Sequence, residues 1–264
     1  MLLCARIGNS HTTLGLVRAA STGSGQAGAV EAVWRVSTDQ RRTADEWQVL
    51  VLGLLGERAD DIDGIAVCAT VPAVLHEWRD MLARHFAGMP AVVVEPGVRT
   101  GVPILMDNPR EVGTDRIANA LAAVTHYGGP AIVVDFGGTA TTFEAISAQG
   151  QYIGGAIAPG LEVSLEALGR RGAQLRRVEL ARPRSVIAKN TVEALQSGMV
   201  FGMAAQVEGI VARMIAALDT PADEVRVIST GYLADIVAGE CSCFTDHAPW
   251  LTLLGLELVF LRNS

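Results

Sequence analysis

Between Asp107 and Thr142 the chain reads DNPREVGTDRIANALAAVTHYGGPAIVVDFGGTATT, and this stretch restricts the fold more than any other. Gly113-Thr114-Asp115-Arg116 heads a helical pattern in which Ile117, Leu121 and Val124 recur on one face. Gly128-Gly129-Pro130 breaks that helix. A short apolar run, Ala131 to Val134, then predicts a buried strand ending in Asp135 and the turn Phe136-Gly137-Gly138-Thr139. A carboxylate at a strand end, followed by glycines and hydroxyls, can bring backbone N–H groups and a bound cation up to a phosphate. Asp115 and Asp135 are therefore the first candidates for chemistry.

The same pattern occurs earlier. Arg6-Ile7-Gly8-Asn9-Ser10-His11-Thr12-Thr13 aligns with Asp135 to Thr142 at an offset of 129 residues, with Gly8/Gly137, Thr12/Thr141 and Thr13/Thr142 identical. An apolar strand precedes each copy, which suggests a duplicated domain with a phosphate loop in each half. Elsewhere strand and helix patterns alternate, the signature of an α/β protein. Leu2 to Ala5 and Thr12 to Val17 read as a hairpin, 18–30 as a loop, and Ala32 to Ser37 as a strand. Thr43 with Glu46 forms a capping-box pattern before a helix to Leu55. Gly64 to Thr70 and Ala91 to Val94 read as strands flanking a helix with Leu75, Trp78, Met81 and Leu82 inward. Beyond the central stretch come strands at 143–146, 152–157 and 225–229, helices at 161–170 and 251–260, and an arginine-rich loop over 171–188. A long helix from Asn190-Thr191 to about Leu218 lies between them.

Of 264 residues, 50% are hydrophobic and 19% charged, enough apolar side chain for sizeable cores. A net charge of −7 without a basic run argues against nucleic acid or an anionic membrane as partner. Cys4 and Cys68 sit in strand-like runs and read as buried hydrophobes. Cys241, Cys243 and His247 lack a second ligand pair, so no zinc site is expected. No signal peptide and no apolar run of membrane-spanning length is expected, which points to a cytoplasmic protein.

The ordered motifs DNPREVGTDRIANAL, IVVDFG-TATTF, GGAIAPG and KNTVEALQSG resemble those of the type III pantothenate kinases, as do WRVSTDQRRTADE and LTLLGLELVFLRN towards the ends. The resemblance implies a duplicated actin-like (ribonuclease H-like) α/β fold, with halves at 1–116 and 117–264 and ATP in the cleft between them. It further implies a homodimer, a monovalent cation (K+ or NH4+) beside Mg2+, and phosphorylation of pantothenate at the start of coenzyme A biosynthesis. By position, Asp115 would be the general base on the pantothenate hydroxyl. Gly113, Thr114, Asp115 and Arg116 would line the substrate site, with Thr191 reaching it from the dimer interface. Asp135 would hold the monovalent cation. Arg6, Gly8, Asn9, Ser10, His11, Thr12 and Thr13, with Gly138 and Thr139, would surround the ATP phosphates. Phosphoryl transfer to an alcohol needs a proton acceptor and positive charge around the phosphates, and these residue types supply both. Each also has an ordinary structural reading: Asp115 as a helix N-terminal carboxylate, Asp135 as a strand end, Thr191 as a helix cap, His11 as a loop residue.

Four positions depart from the family pattern. Arg6 replaces the aspartate of Asp-x-Gly-Asn-Thr, and a cation about 4 Å from its guanidinium is disfavoured by about 4 kcal/mol per unit charge. The loop DFGGTATT carries one glycine more than DFGTATT, Met106 stands where a tyrosine precedes DNP, and Tyr232 replaces a second glycine after Thr230-Gly231. Arg6 admits two readings. Its guanidinium replaces a metal, approaching Asp135 or Asp115 or clamping phosphate, or the site is decayed and the chain is a binding or regulatory paralogue. The changes at Met106, Gly138 and Tyr232 suit a repurposed enzyme acting on another small molecule.

Overall fold

The structure is a computed structural model that describes residues 1–18, 28–171 and 178–264. Most of the loop expected over 18–30, and the stretch 172–177 of the arginine-rich loop, lie outside the described residues. The chain forms two compact units. One comprises residues 1–102, 107–122 and 250–264; the other, 103–106 and 123–249.

In the first unit, β1 (Leu2–Ile7) pairs antiparallel with β2 (His11–Arg18), which pairs antiparallel with β3 (Ala29–Ser37). On its other side β1 pairs parallel with β4 (Gly64–Ala69), and β4 with β5 (Ala91–Val93), giving the order β3-β2-β1-β4-β5. β1 is apolar at almost every position because both its faces are covered, as central strands of such sheets require. Leu3, Ala5 and Ile7 face α1 (Ala44–Leu55) and α2 (Pro72–His85), where buried Trp47 and Trp78 pack at 5.6 Å between ring centroids. The expected capping box starts α1: Glu46 N–H donates to Thr43 Oγ1 and Thr43 N–H to Glu46 Oε2.

The last helix, α7 (Leu251–Asn263), packs on β1 and β4. It reaches the first turns of α3 (Thr114–Tyr127) through Gly255, where a Cβ would strike the Ala118 carbonyl. Beside that approach, Thr252 Oγ1 donates to Asn119 Oδ1 at 2.7 Å, both residues buried. The C-terminal segment therefore completes the N-terminal sheet, and the compact units do not follow chain order. The 1–116 and 117–264 halves stand as a proposal about duplication.

The second unit repeats the topology. β6 (Ala131–Phe136) pairs antiparallel with β7 (Ala140–Ile146) and β7 with β8 (Tyr152–Pro159). β6 pairs parallel with β9 (Arg226–Thr230), and β9 with β10 (Asp246–His247), so β8-β7-β6-β9-β10 matches the first sheet strand for strand. The register repeats too: Arg6 faces Thr13 and Ile7 faces Thr12, as Asp135 faces Thr142 and Phe136 faces Thr141. α4 (Leu161–Arg171), α5 (Thr191–Ala217) and α6 (Ala234–Val237) accompany this sheet. Its core joins Ile132, Val134 and Phe136 to Met203, Val207 and Val211 of α5 and to Val227 and Val237.

Two expectations need amending. α5 is long and apolar enough to cross a membrane by length and composition, with 27 residues and a mean hydropathy of 1.4 over an 18-residue stretch. Gln and Glu residues interrupt it, so it is not a continuous apolar run. Met203, Ala204, Val207 and Val211 pack one face of it into the core described above, and Val200 is buried too. Its cap is Asn190, whose Oδ1 accepts the Glu193 N–H at 2.9 Å, so Thr191 is the first helical residue. Short elements such as α6 and β10 carried too few residues to show a period.

Candidate active site

Asp115 lies in the first turn of α3, and that turn is tied to the end of β4. Ala69 N–H donates to Thr114 Oγ1 at 3.2 Å, and Thr114 Oγ1 lies 3.3 Å from the Ala69 carbonyl oxygen. The Asp115 side chain is 12% exposed. Its Oδ1 accepts the Arg116 N–H at 3.0 Å, and its Oδ2 accepts from Arg6 Nη2 at 3.1 Å. Gly113 makes room for this carboxylate, since a Cβ there would come within 2.7 Å of Asp115 Oδ1. Asp115, one of the two acidic partners expected for Arg6, stands beside it within the first unit. The charge-assisted hydrogen bond joins two side chains that are each mostly withdrawn from solvent.

The hairpin tip next to Arg6 is fixed by its own backbone. Gly8 N–H donates to the His11 carbonyl at 3.0 Å, and a Cβ on Gly8 would press on that oxygen at 3.0 Å. Thr38 N–H donates to the Ser10 carbonyl, and the hydroxyls of Thr12 and Thr38 meet at 2.9 Å. Asn9 and Ser10 are exposed at the tip, whereas Thr12 is buried and Thr13 half-buried.

Asp135 occupies the corresponding position in β6 and is 2% exposed. Gly231, with φ +93°, follows β9; a Cβ there would strike Asp135 Oδ1 and approach Phe136 N at 2.8 Å. The turn Gly137-Gly138-Thr139 repeats the Gly8 geometry, since a Cβ on Gly137 would meet the Ala140 carbonyl at 2.8 Å. Its carbonyls turn towards the start of α4. Gly160 N–H donates to Thr139 O at 2.9 Å and Val163 N–H to Gly138 O at 3.2 Å.

Gly138 and Tyr232, two separate departures in the sequence, belong to one arrangement. Tyr232 Oη donates to Glu162 Oε2 at 2.7 Å, and a Cβ on Gly138 would strike both of those oxygens. The additional glycine opens the space that the tyrosine hydroxyl and the carboxylate fill. Glu162 escaped sequence reasoning. Its signal was an acidic residue in the first turn of the helix that follows the AIAPG strand end.

Thr191 is exposed at the start of α5. Beside it, Arg184 donates to both Glu193 oxygens, at 2.5 and 3.0 Å, and Asn190 Nδ2 donates to Glu193 Oε2 at 2.9 Å.

Two α/β units of identical strand order, each with a glycine turn after its first strand, define the actin-like ATPase fold class. Solved structures agree. Component A of (R)-2-hydroxyglutaryl-CoA dehydratase from Acidaminococcus fermentans is 13% identical with a TM-score of 0.54, covering 97% of this chain and 96% of that one. The ethanolamine utilization protein EutJ from Carboxydothermus hydrogenoformans is 17% identical with a TM-score of 0.53, covering 97% and 89%. At such identities the likeness is one of fold. Sequence relatives are more particular. The family model for type III pantothenate kinase matches residues 2–213. A type III pantothenate kinase of Nocardioides sp. is 74% identical over 263 residues, covering 100% of this chain and 99% of its own. One of Streptomyces griseus is 60% identical over 270 residues, covering 100% and 98%. The chain belongs to the type III pantothenate kinase family.

Proposed function

We propose that this chain transfers the γ-phosphoryl group of ATP to the primary hydroxyl of pantothenate, giving 4′-phosphopantothenate at the start of coenzyme A biosynthesis. The observation that carries the reading is the Asp115 carboxylate, fixed at the head of α3 by Gly113, Thr114 and Arg6. Asp115 accepts the proton of the substrate hydroxyl as its oxygen attacks phosphorus, and ADP leaves. Thr114 and Arg116 line the pantothenate site. Arg6 orients the carboxylate and adds positive charge where charge develops in the transition state. The exposed Asn9-Ser10 tip offers amide and hydroxyl donors suited to phosphate oxygens.

The residues around position 6 do not fit a directly bound divalent cation. A guanidinium occupies that place, and among the described residues no three His, Cys, Asp or Glu side chains gather into a metal-binding group. Magnesium is accordingly assigned to ATP itself. Asp135, a carboxylate almost withdrawn from water beside a glycine turn, suits a potassium or ammonium ion, which would neutralise phosphate charge there. Exposed Val186, Ile187 and Val192 around the start of α5 support a homodimer in which Thr191 reaches the substrate.

The test is a coupled assay of the purified protein with ATP, magnesium, potassium and pantothenate. Turnover of the wild type that disappears in Asp115→Asn is the expected result. The Arg6–Asp115 pair is also the observation that favours a silent or repurposed paralogue, since it engages the base. An inactive wild type beside an active Arg6→Asp variant would establish that second reading and overturn the first.

A further inference from the structure

Cys241 and Cys243 stand apart from the chemistry above and from the two other cysteines. Cys4 and Cys68 are fully buried, and burial pushes the Cys4 thiol well above its ordinary value. Cys241 and Cys243 are each half-buried and free, one residue apart, and both rest against the core of the second unit. The residue between them is anchored. Ser242 donates its N–H at 2.8 Å and its hydroxyl at 2.7 Å to the same oxygen of Glu208 on α5. The chain bends at Ser242. Cys241 Sγ lies 3.6 Å from the Val237 carbonyl, and Cys241 also lines an open cavity of about 420 Å³ with Asp235, Phe244 and His247.

We propose that Cys241 and Cys243 form a redox-active dithiol that closes to an intraloop disulfide on reaction with a hydroperoxide or a small disulfide. Two residues separated by one other lie at most about 7 Å apart at Cα, and the bend at Ser242 shortens that span towards the 4.4–6.8 Å that a disulfide bridges. The roles of the sulfurs differ. The neighbouring Cys241 holds the Cys243 thiol below its ordinary value, against burial and the nearby Glu208. Cys241 is pushed the other way, chiefly by Cys243 beside it and then by burial, with Glu208 and Glu240 adding to it. Cys243 is therefore the attacking sulfur, because the thiolate is the nucleophile. With a hydroperoxide, its sulfur takes the terminal oxygen as the O–O bond breaks, giving a sulfenic acid and one molecule of water or alcohol. Cys241 then attacks that sulfur and expels water, so the dithiol loses two electrons and two protons to the peroxide. With a small disulfide, Cys243 forms the mixed disulfide and releases one thiol, and Cys241 displaces the second. A dithiol reductant reverses either route.

The experiment uses the full-length folded protein with a stoichiometric hydroperoxide, followed by alkylation and peptide mapping. The expected product is a Cys241–Cys243 disulfide within one chain, lost on reduction, with Cys4 and Cys68 unmodified. Cys241→Ser should stop at a sulfenic acid on Cys243 that a carbon nucleophile traps. Cys243→Ser should slow consumption of peroxide about tenfold or more. Glu208→Gln keeps both thiols and an acceptor for Ser242 while removing a charge that raises both thiols, so closure should quicken. A wild type in which Cys243 proceeds to sulfinic acid with Cys241 still free, or in which neither thiol reacts before Cys4 and Cys68, would overturn the proposal. A disulfide found only between chains would do the same.

Discussion

Removing the guanidinium from position 6 isolates the pairing on which the proposed site depends. In Arg6→Ala, Asp115 keeps its Arg116 N–H and its place at a helix N-terminus but loses the cation 3.1 Å away. At an effective dielectric of 20, opposite charges at that separation attract by about 5 kcal/mol. Desolvation of both groups and about 2 kcal/mol of arginine side-chain entropy offset most of this. The favourable helix terminus also shelters the orphaned carboxylate by up to about 1 kcal/mol. A net loss of about 2 kcal/mol follows, less than the 3–5 kcal/mol found when fully buried pairs are broken, because 12–20% of each side chain remains in water. For a chain of this size that corresponds to a fall in Tm of roughly 4–8 °C. In the coupled assay kcat should fall about tenfold or more while KM for pantothenate changes little, since a loosened base weakens the transition state more than the ground state. Arg6→Lys should lie between, with its single compact cation. A variant that melts within about 1 °C of the wild type and turns over at the same rate would refute the reasoning, because the ion pair would then neither stabilise nor position anything.

Other consequences can be checked alongside. Gly255→Ala forces a methyl against the Ala118 carbonyl and should cost about 1–3 kcal/mol in denaturant unfolding, by prising α7 from α3. Tyr232→Phe removes a hydrogen bond to the Glu162 carboxylate and should lower stability by about 1–2 kcal/mol while altering KM for ATP more than KM for pantothenate. Thr43→Ala breaks the capping box of α1 and should lose about 1 kcal/mol with activity unchanged. Burial lowers His126 from its ordinary value of 6.5, so the unfolded chain binds this proton more tightly than the folded one. Its presence therefore destabilises the protein as pH falls below about 6.5, and His126→Gln should flatten the acid side of a Tm–pH profile there.

The fold was legible because its signals are local. Apolar runs such as Ala131 to Val134 reach strand length and end at glycine turns, and the Thr43–Glu46 spacing announces a helix start that forms as read. The hairpin echo at an offset of 129 residues was thin as a sequence match, yet the two sheets share strand order and register around it. The membership of α7 was not legible. Nothing in LTLLGLELVFLRN says which sheet it covers, because an apolar helix face specifies burial and not a partner. Glu162 was missed for a related reason: one carboxylate in a first helical turn is ordinary until a tyrosine hydroxyl and an added glycine are found beside it.

By itself the sequence determined the alternation of strands and helices, the two glycine turns and the residue types gathered near Asp115 and Asp135, since these depend on patterns a few residues long. Only the tertiary structure decided that Arg6 meets Asp115, 109 residues away, at 3.1 Å. It also decided that Gly113 is needed for carboxylate clearance and that Gly138 and Tyr232 act as one feature. The physical reason is that a charge or a missing methyl acquires its meaning from whatever stands within a few ångströms. That neighbour is set by how the strands pair and the helices pack, over distances along the chain that no local pattern spans.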